Sequence, residues 1–400
     1  MAKQRELLST VTALARKGFP DQVKWRRHLH QYPELSDQEF ETTAFLKREL
    51  QRLGLKIRPL RMPTGIVAEL KGSRPRPIVA VRSDIDALPV TERTGLPFVS
   101  KIPGRMHACG HDVHMATALG TAAILSHLRD ELSGTVRFLF QPAEETPPGG
   151  ALQMIKHGAL TGVDAIFGLH VDPHLPVGMV GLCDGPMMAS VCDFDITVHG
   201  RGGHAARPHL AVDAIVVASA VVDALQKIVS RCTDPQVPVV LTVGRISGGT
   251  ARNVIADRVE LTCTVRTLAP DLARKLPTLI RRTVSGVCRA YSAKGETKIV
   301  ASYPMLVNDN SINDLYRDVF GAMFGPRKVR SAERSLGGED FARYLEIVPG
   351  AMCRLGVRNP RIGATEPWHS SKFVADENAM SCGAALLAGS VFKYIESRSR

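Results

Sequence analysis

No apolar run in this 400-residue chain approaches the roughly 18 residues that a membrane span requires; the longest, AIVVASAVV, is closed by Asp213 and Asp223. The start, MAKQRELLSTVTALARKGF, carries no apolar signal core, so export is not indicated and a cytoplasmic location is expected. The eight cysteines include no CxxC pair, which reads as reduced thiols, mostly small core residues, and not as a disulfide framework. Aromatic residues make up only 5%, and the Arg and Lys behind a net charge of +12 form no stripe. Only KWRRHLH, near residue 26, comes close to a basic cluster. A nucleic-acid surface of basic groups interleaved with stacking aromatics is therefore not expected. The charge reads as a solvated surface with a mild attraction for small anions. GRGGHAARPH lacks both glycine-rich phosphate-loop spacings, and no repeat or low-complexity segment is visible.

What is present is an ordinary globular composition, 44% apolar and 22% charged, at a length that exceeds what one core usually serves. Helices are predicted over residues 3–17 and 21–31, and SDQE, Ser36–Glu39, reads as a capping box opening a helix to about Leu53. Strands IVAEL and PIVAVRS, a helix from His111 to Leu128, strand TVRFLF, helix GGALQMIKHG and strand DAIFGLH follow. That alternation predicts an α/β fold: a mixed, mostly parallel sheet with helices on both faces. From about Pro186 the order changes to strand, helix, strand, strand, helix, strand, the split βαβ layout. The expected organisation is a first domain over 1–185, an inserted α+β, ferredoxin-like domain over 186–301, and a return to the first domain over 302–400.

Three histidines and a cysteine crowd into MHACGHDVHMA, Met106–Ala116. Other polar groups fall just past predicted strands: Asp84 and Asp86 after VAVRS, Glu144 and Glu145 after FLFQPA, and His170 at the end of FGLH. Sites in open α/β sheets form beyond the carboxyl ends of strands, so separate segments are expected to meet on one rim. Imidazole, thiolate and carboxylate together are a metal-ligand inventory suited to zinc, with manganese or cobalt admissible. Of two adjacent glutamates, one can bind a cation while its neighbour takes a proton from activated water. Other readings stand beside these. Cys109 could be a core thiol or a nucleophile paired with a histidine, His170 a strand-end core residue, and Glu144–Glu145 a solvated loop.

In order along the chain, RRHLHQYPELSDQE, RSDIDALPV, MHACGHDVHMA, FQPAEE, GLHVDP, GRGGHAARPH, GGTARNVIADRVELTCTVRT, GEDFARYLEIVPG and WHSSKF resemble the aminoacylase/carboxypeptidase metallopeptidase family. The branch is that of hippurate hydrolases, N-acyl-L-amino acid amidohydrolases and plant auxin-conjugate hydrolases. The resemblance spans nearly the whole chain. It implies a zinc-peptidase-like catalytic domain holding two divalent ions, Zn, Mn, Co or Ni. Cys109, His111, Glu145, His170 and His369 are the implied ligands. Glu144 matches the general base, and Asp84 a carboxylate that orients a ligand. The inserted domain matches a lid and dimerisation domain, implying a homodimer or dimer-based oligomer. There His204 is implied to reach a neighbouring active site and stabilise an oxyanion, and Asn253 and Arg266 to hold substrate. His204 as a turn histidine and Arg266 as a partner to a strand neighbour remain open. The implied substrate is a small N-acyl amino acid. A biosynthetic N-acetyl-diaminopimelate deacetylase or a small-dipeptide hydrolase would share the same metal residues. Ser83, Ala256, Gly338 and Ser371 depart from the usual family residues, and none of them is an implied ligand.

Overall fold

The computed structural model describes residues 2–398. They divide into two compact units, one running to Gly185 and including Val307–Glu333 and the chain from Arg343 onward, the other comprising Pro186–Leu306 and Arg334–Ala342. No helix among the described residues is long and apolar enough to cross a membrane.

The first unit is built on an eight-stranded sheet. Its strand order is Lys56–Arg58, Ile66–Lys71, Thr135–Gln141, Ile78–Asp84, Ala165–Pro176, Gly350–Arg358, Val180–Leu182 and Val329–Ser331. The strands Thr135–Gln141, Ile78–Asp84, Ala165–Pro176 and Gly350–Arg358 run parallel to their neighbours, and antiparallel pairings flank them. This is the mixed, mostly parallel sheet that the alternating pattern implied. Thr135–Gln141 is buried along its whole length, as its continuous apolar stretch requires in a covered sheet.

Helix His111–His127 is almost wholly buried and packs against the helices Phe19–Gln31 and Ala379–Arg398 as well as the sheet. Its sequence is small and apolar on every side, the pattern of a helix enclosed by neighbours. At Gly120 a Cβ would lie 1.8 Å from Gln22 Nε2, so glycine here leaves room for the Gln22 side chain of Phe19–Gln31.

Two local expectations fail for a shared reason. The capping box does not form: the helix begins at Phe40, and the Glu34 carboxylate accepts from the N–H groups of Glu41 at 3.2 Å and Thr42 at 2.8 Å. Ser36 and Glu39 are drawn instead to Asp86 and Ala143, far along the chain. KWRRHLH, read as surface charge, lies on helix Phe19–Gln31: Lys24 and Arg27 are exposed as that reading requires, but Arg26 and His30 are 2% and 1% exposed, because both reach Asp112. In each case a long-range partner overrides the local pattern.

The second unit is an antiparallel sheet in the order Val239–Gly248, Arg258–Thr267, Ser190–His199, Lys294–Tyr303, with helices Ala214–Arg231 and Pro270–Ala290. Burial alternates strictly along the first half of Arg258–Thr267. Val217, Val221, Leu225 and Ile228 on one helix and Leu276, Ile280, Val284 and Cys288 on the other meet that buried face at helical spacing. Asp213 caps the first of these helices, its Oδ1 accepting from Ile215 and Val216.

Candidate metal centre

Ile78–Asp84 lies between Thr135–Gln141 and Ala165–Pro176 and is parallel to both, so these strands share an orientation. The loops after the first two carry Asp86 and Glu144–Glu145, and His170 lies within the third. Cys109 sits on the turn before helix His111–His127. Gly110 caps that helix at φ 88°, where a Cβ would come 2.5 Å from Val171 Cγ2. His369, itself at φ 65°, is fixed by its N–H donating to Ala108 O at 2.9 Å.

These segments converge. Cys109 Sγ lies 3.5 Å from His170 Nε2, and Glu145 Oε1 lies 3.8 Å from His111 Nε2 and 3.5 Å from His369 Nε2. The donor atoms of Cys109, His111 and His170 lie within 4.8 Å of one another, as do those of Cys109, Glu145 and His369, and those of His111, Glu144 and Glu145. Cys109, His111 and Glu145 each belong to two of these groups, so the three groups form one cluster. The structure thus brings together all six residues.

The hydrogen-bond network fixes which ring nitrogens face the cluster. His111 Nδ1 donates to the Asp86 carbonyl at 2.8 Å, and His170 Nδ1 to the Val171 carbonyl at 2.8 Å, leaving both Nε2 atoms to the cluster. His114 is differently used: Val171 N–H donates to its Nε2 at 2.9 Å, so its Nδ1 carries the hydrogen given to Asp84 Oδ1 at 2.6 Å. Asp84 thus bonds His114 and its Oδ2 also lies 3.6 Å from His111 Nε2, while Asp86 Oδ1 lies 3.4 Å from His111 Nδ1 and its Oδ2 receives the Glu145 N–H at 2.9 Å. Beneath them Arg26 Nε and His30 Nδ1 donate to Asp112 Oδ2 at 2.7 and 2.8 Å, in the first turn of the helix that begins with His111.

Charge is unbalanced here. Burial opposes ionisation of Asp84, yet His111, His114 and Arg82 hold its carboxyl well below the usual range. Burial would lower the His111 pKa, but Asp84 and Asp86 overcome it and push the imidazole up to about 10. Burial, with Glu145, Glu144 and Asp84, lifts the Cys109 thiol well above its ordinary value. Burial, with His114 and Arg354, holds His170 well below its own. A cysteine nucleophile needs a lowered thiol and a histidine able to hold the proton, and both groups here shift the opposite way.

Two buried atoms in the cluster, His111 Nε2 and Glu145 Oε1, have no hydrogen-bond partner. Buried polar atoms are rarely left so. Unpartnered polar atoms among soft and hard donors, in a pocket rich in carboxylates, fit divalent cations that displace the His111 proton.

In the second unit His204 is exposed, accepts the Ala206 N–H at Nδ1 and pairs in register with Val254, beside Asn253. Arg266 lies towards the other end of its sheet and donates to Leu336 O at 3.1 Å. The structure does not bring these three together within the unit.

A family model described as Peptidase family M20/M25/M40 matches residues 80–393. The chain belongs to this family. N-acetyl-L-cysteine deacetylase of Bacillus subtilis is 44% identical over 372 residues, which is 93% of this chain and 88% of the relative. N-acyl-L-amino acid amidohydrolase of Geobacillus stearothermophilus is 46% identical over 290 residues, 72% of this chain and 78% of the relative. A dinuclear metal binding peptidase from the M20 family, of Bacillus subtilis, matches with TM-score 0.84 at 38% identity, covering 96% of this chain and 99% of that one. The chain is thus a metal-dependent M20 amidohydrolase/peptidase.

Three features of this M20 site escaped the sequence. Asp86 was expected on the rim, but its backbone bond to His111 was not. The Arg26–His30–Asp112 group joins residues more than 80 positions apart. Glu39 was hidden by its resemblance to a cap.

Proposed function

We propose that this enzyme hydrolyses the amide bond of N-acyl-L-amino acids, releasing a carboxylic acid and a free amino acid. Cys109, His111, Glu145, His170 and His369 would hold two divalent ions, of Zn, Mn, Co or Ni. The orphaned His111 Nε2 and Glu145 Oε1, buried amid the other four side chains, carry this reading. When bound, such ions supply a Lewis acid and bring water into reach of a base near neutral pH. Glu144, next to the ligand Glu145, takes the water's proton and passes it to the leaving nitrogen. Asp86 and the Val171 carbonyl keep His111 and His170 in the tautomer that presents Nε2.

Arg266 would pair with the substrate carboxylate, Asn253 would hold substrate, and His204 would donate to the oxyanion. Asn253 and His204 lie beyond the Arg258 end of the strand Arg258–Thr267, and Arg266 sits about 26 Å along it at ~3.3 Å per residue. One substrate would therefore take Arg266 from one copy and the other two from a second, which supports a dimer. The names of the curated relatives favour short acyl groups on amino acids such as cysteine.

A substrate panel tests this: N-acetylcysteine, other N-acetyl amino acids, hippurate, N-acetyl-diaminopimelate and a dipeptide, each with chelator and with zinc, manganese, cobalt or nickel restored. Cleavage of N-acyl amino acids that chelator abolishes is expected. Glu144→Gln should retain ions and lose about 10²–10⁴-fold in turnover. Undiminished cleavage after complete chelation would refute the reading.

A further inference from the structure

The LSDQE turn, Leu35–Glu39, takes no part in the chemistry above, yet it grips the segment that carries it. Glu39 is fully buried and its Oε1 accepts the Ala143 N–H at 2.8 Å. Ala143 holds a left-handed backbone, φ 51°, unusual for a residue with a Cβ, and its carbonyl accepts the Gly150 N–H at 3.0 Å. It is thus held on both sides immediately before Glu144. Ser36 Oγ donates to Asp86 Oδ2 at 2.7 Å, the same oxygen that receives the Glu145 N–H at 2.9 Å, and Thr146 Oγ1 donates to Ser36 Oγ at 3.0 Å. Three of the four residues Ala143–Thr146 are therefore tied to this turn, directly or through Asp86. The turn itself is anchored next to Asp86: the Ala87 N–H donates to Glu34 O at 2.8 Å, and Leu35 forms a bridge with Ala87.

We propose that Glu39 and Ser36 are positioning residues, which set the backbone of Ala143–Thr146 and thereby aim Glu144 as base and Glu145 as metal ligand. The proposal rests on the roles given to Glu144 and Glu145 above. Glu144 and Glu145 follow Ala143 directly, so a change in its dihedral angles re-aims both carboxylates at once. A role in stability alone explains Glu39 poorly. Burial pushes its carboxyl up to about 7 despite its bonds to the Ala143 N–H, its own backbone and Thr64, so the side chain surrenders solvation for a grip whose one long-range backbone bond falls on a strained residue. The same logic explains why the sequence looks like a capping box: serine and glutamate three apart do bind backbone and side-chain groups across a turn, but those groups lie on the catalytic loop.

The test uses full-length, metal-loaded enzyme on its best N-acyl amino acid, with zinc affinity measured separately by competition with a chelator. Glu39→Ala should lower kcat by about 100-fold with KM within about threefold, because a misplaced base affects the chemical step. It should also raise the zinc Kd by about 10-fold or more, as loss of a supporting contact does. Glu39→Gln, whose carbonyl oxygen can still accept the Ala143 N–H, should restore kcat to within about fivefold of wild type. Ser36→Ala should raise the zinc Kd by about 10-fold. A folded Glu39→Ala enzyme with kcat and zinc Kd both unchanged overturns the proposal, as does Glu39→Gln being as impaired as Glu39→Ala. Should neither Glu39 variant fold, Ser36→Ala decides, and an unchanged Kd overturns it. Glu144→Gln runs alongside: wild-type turnover there removes the base assignment, while the zinc Kd of Glu39→Ala still tests the hold on Glu145.

Discussion

Loading the metal-free protein with divalent ions must expel protons if Cys109 and His111 receive them. With its pKa raised to about 10, His111 is roughly 99.9% protonated at pH 7, held so by Asp84 and Asp86 against burial. The Cys109 thiol, lifted well above its ordinary value by burial, Glu145 and Glu144, is protonated too. His170, held well below its ordinary value, is neutral and gives up nothing. His369, raised by its contact with Glu145, adds to that release. Loading at pH 7 should therefore release about two protons or more from the ligands. Removing the His111 proton alone opposes binding by about 4 kcal/mol at pH 7, three units at 1.36 kcal/mol each. Apparent affinity should rise about 100-fold per pH unit between pH 7 and 9. Calorimetric titration with zinc in buffers of different ionisation enthalpy measures the count from the slope of apparent enthalpy. Cys109→Ser should reduce it by about one. A slope near zero would refute both ligand assignments.

Three further outcomes are expected. Gly110→Ala should destabilise the first unit by about 2 kcal/mol or more, because φ 88° disfavours a side chain and the added Cβ meets Val171, and thermal melts of the metal-free protein would show it. Arg26→Met should lower stability by about 3–5 kcal/mol by leaving Asp112 buried with His30 alone, and Arg26→Met/Asp112→Asn should recover part of it. His107 is buried, and its pKa is lowered to about 4 by burial, with His111 and His30 adding to that and Asp112 opposing. The folded state then binds fewer protons than the unfolded one between pH 4 and about 6.5. Its contribution is present above pH 6.5 and is lost, by about 3 kcal/mol, as pH falls towards 4. His107→Gln should flatten that limb in melts recorded against pH.

Much of the architecture was legible because it rests on periodicity. Alternation in Arg258–Thr267, helical spacing in Ala214–Arg231 and the continuous apolar strand Thr135–Gln141 each stand in the sequence as they stand in the fold. Glu144, Glu145 and His170 stood out as polar groups past predicted strands and Cys109 and His111 by the crowding of MHACGHDVHMA, whereas His369 entered only with the family resemblance. What could not be read was which of two similar groups a loop aims where. Asp84 and Asp86 lie two residues apart, yet Asp84 bonds His114 through its carboxylate while Asp86 bonds His111 through its backbone carbonyl. Nor does local spacing reveal that Arg26 and His30 are buried, since their partner is Asp112 on another helix. Ser36 and Glu39 matched a helix-capping pattern closely enough to hide longer-range bonds.

The donor atoms that meet around Glu145 come from residues 109 to 369 of the chain. During synthesis the cysteine and first histidine leave the ribosome long before the last histidine is made, tens of seconds at roughly 5–20 residues per second. Through that interval a growing chain offers stray zinc a thiol and imidazoles but never the finished cage. If these residues hold the ions proposed above, loading is completed only after synthesis reaches His369, and a product truncated before it would lack one of the proposed ligands.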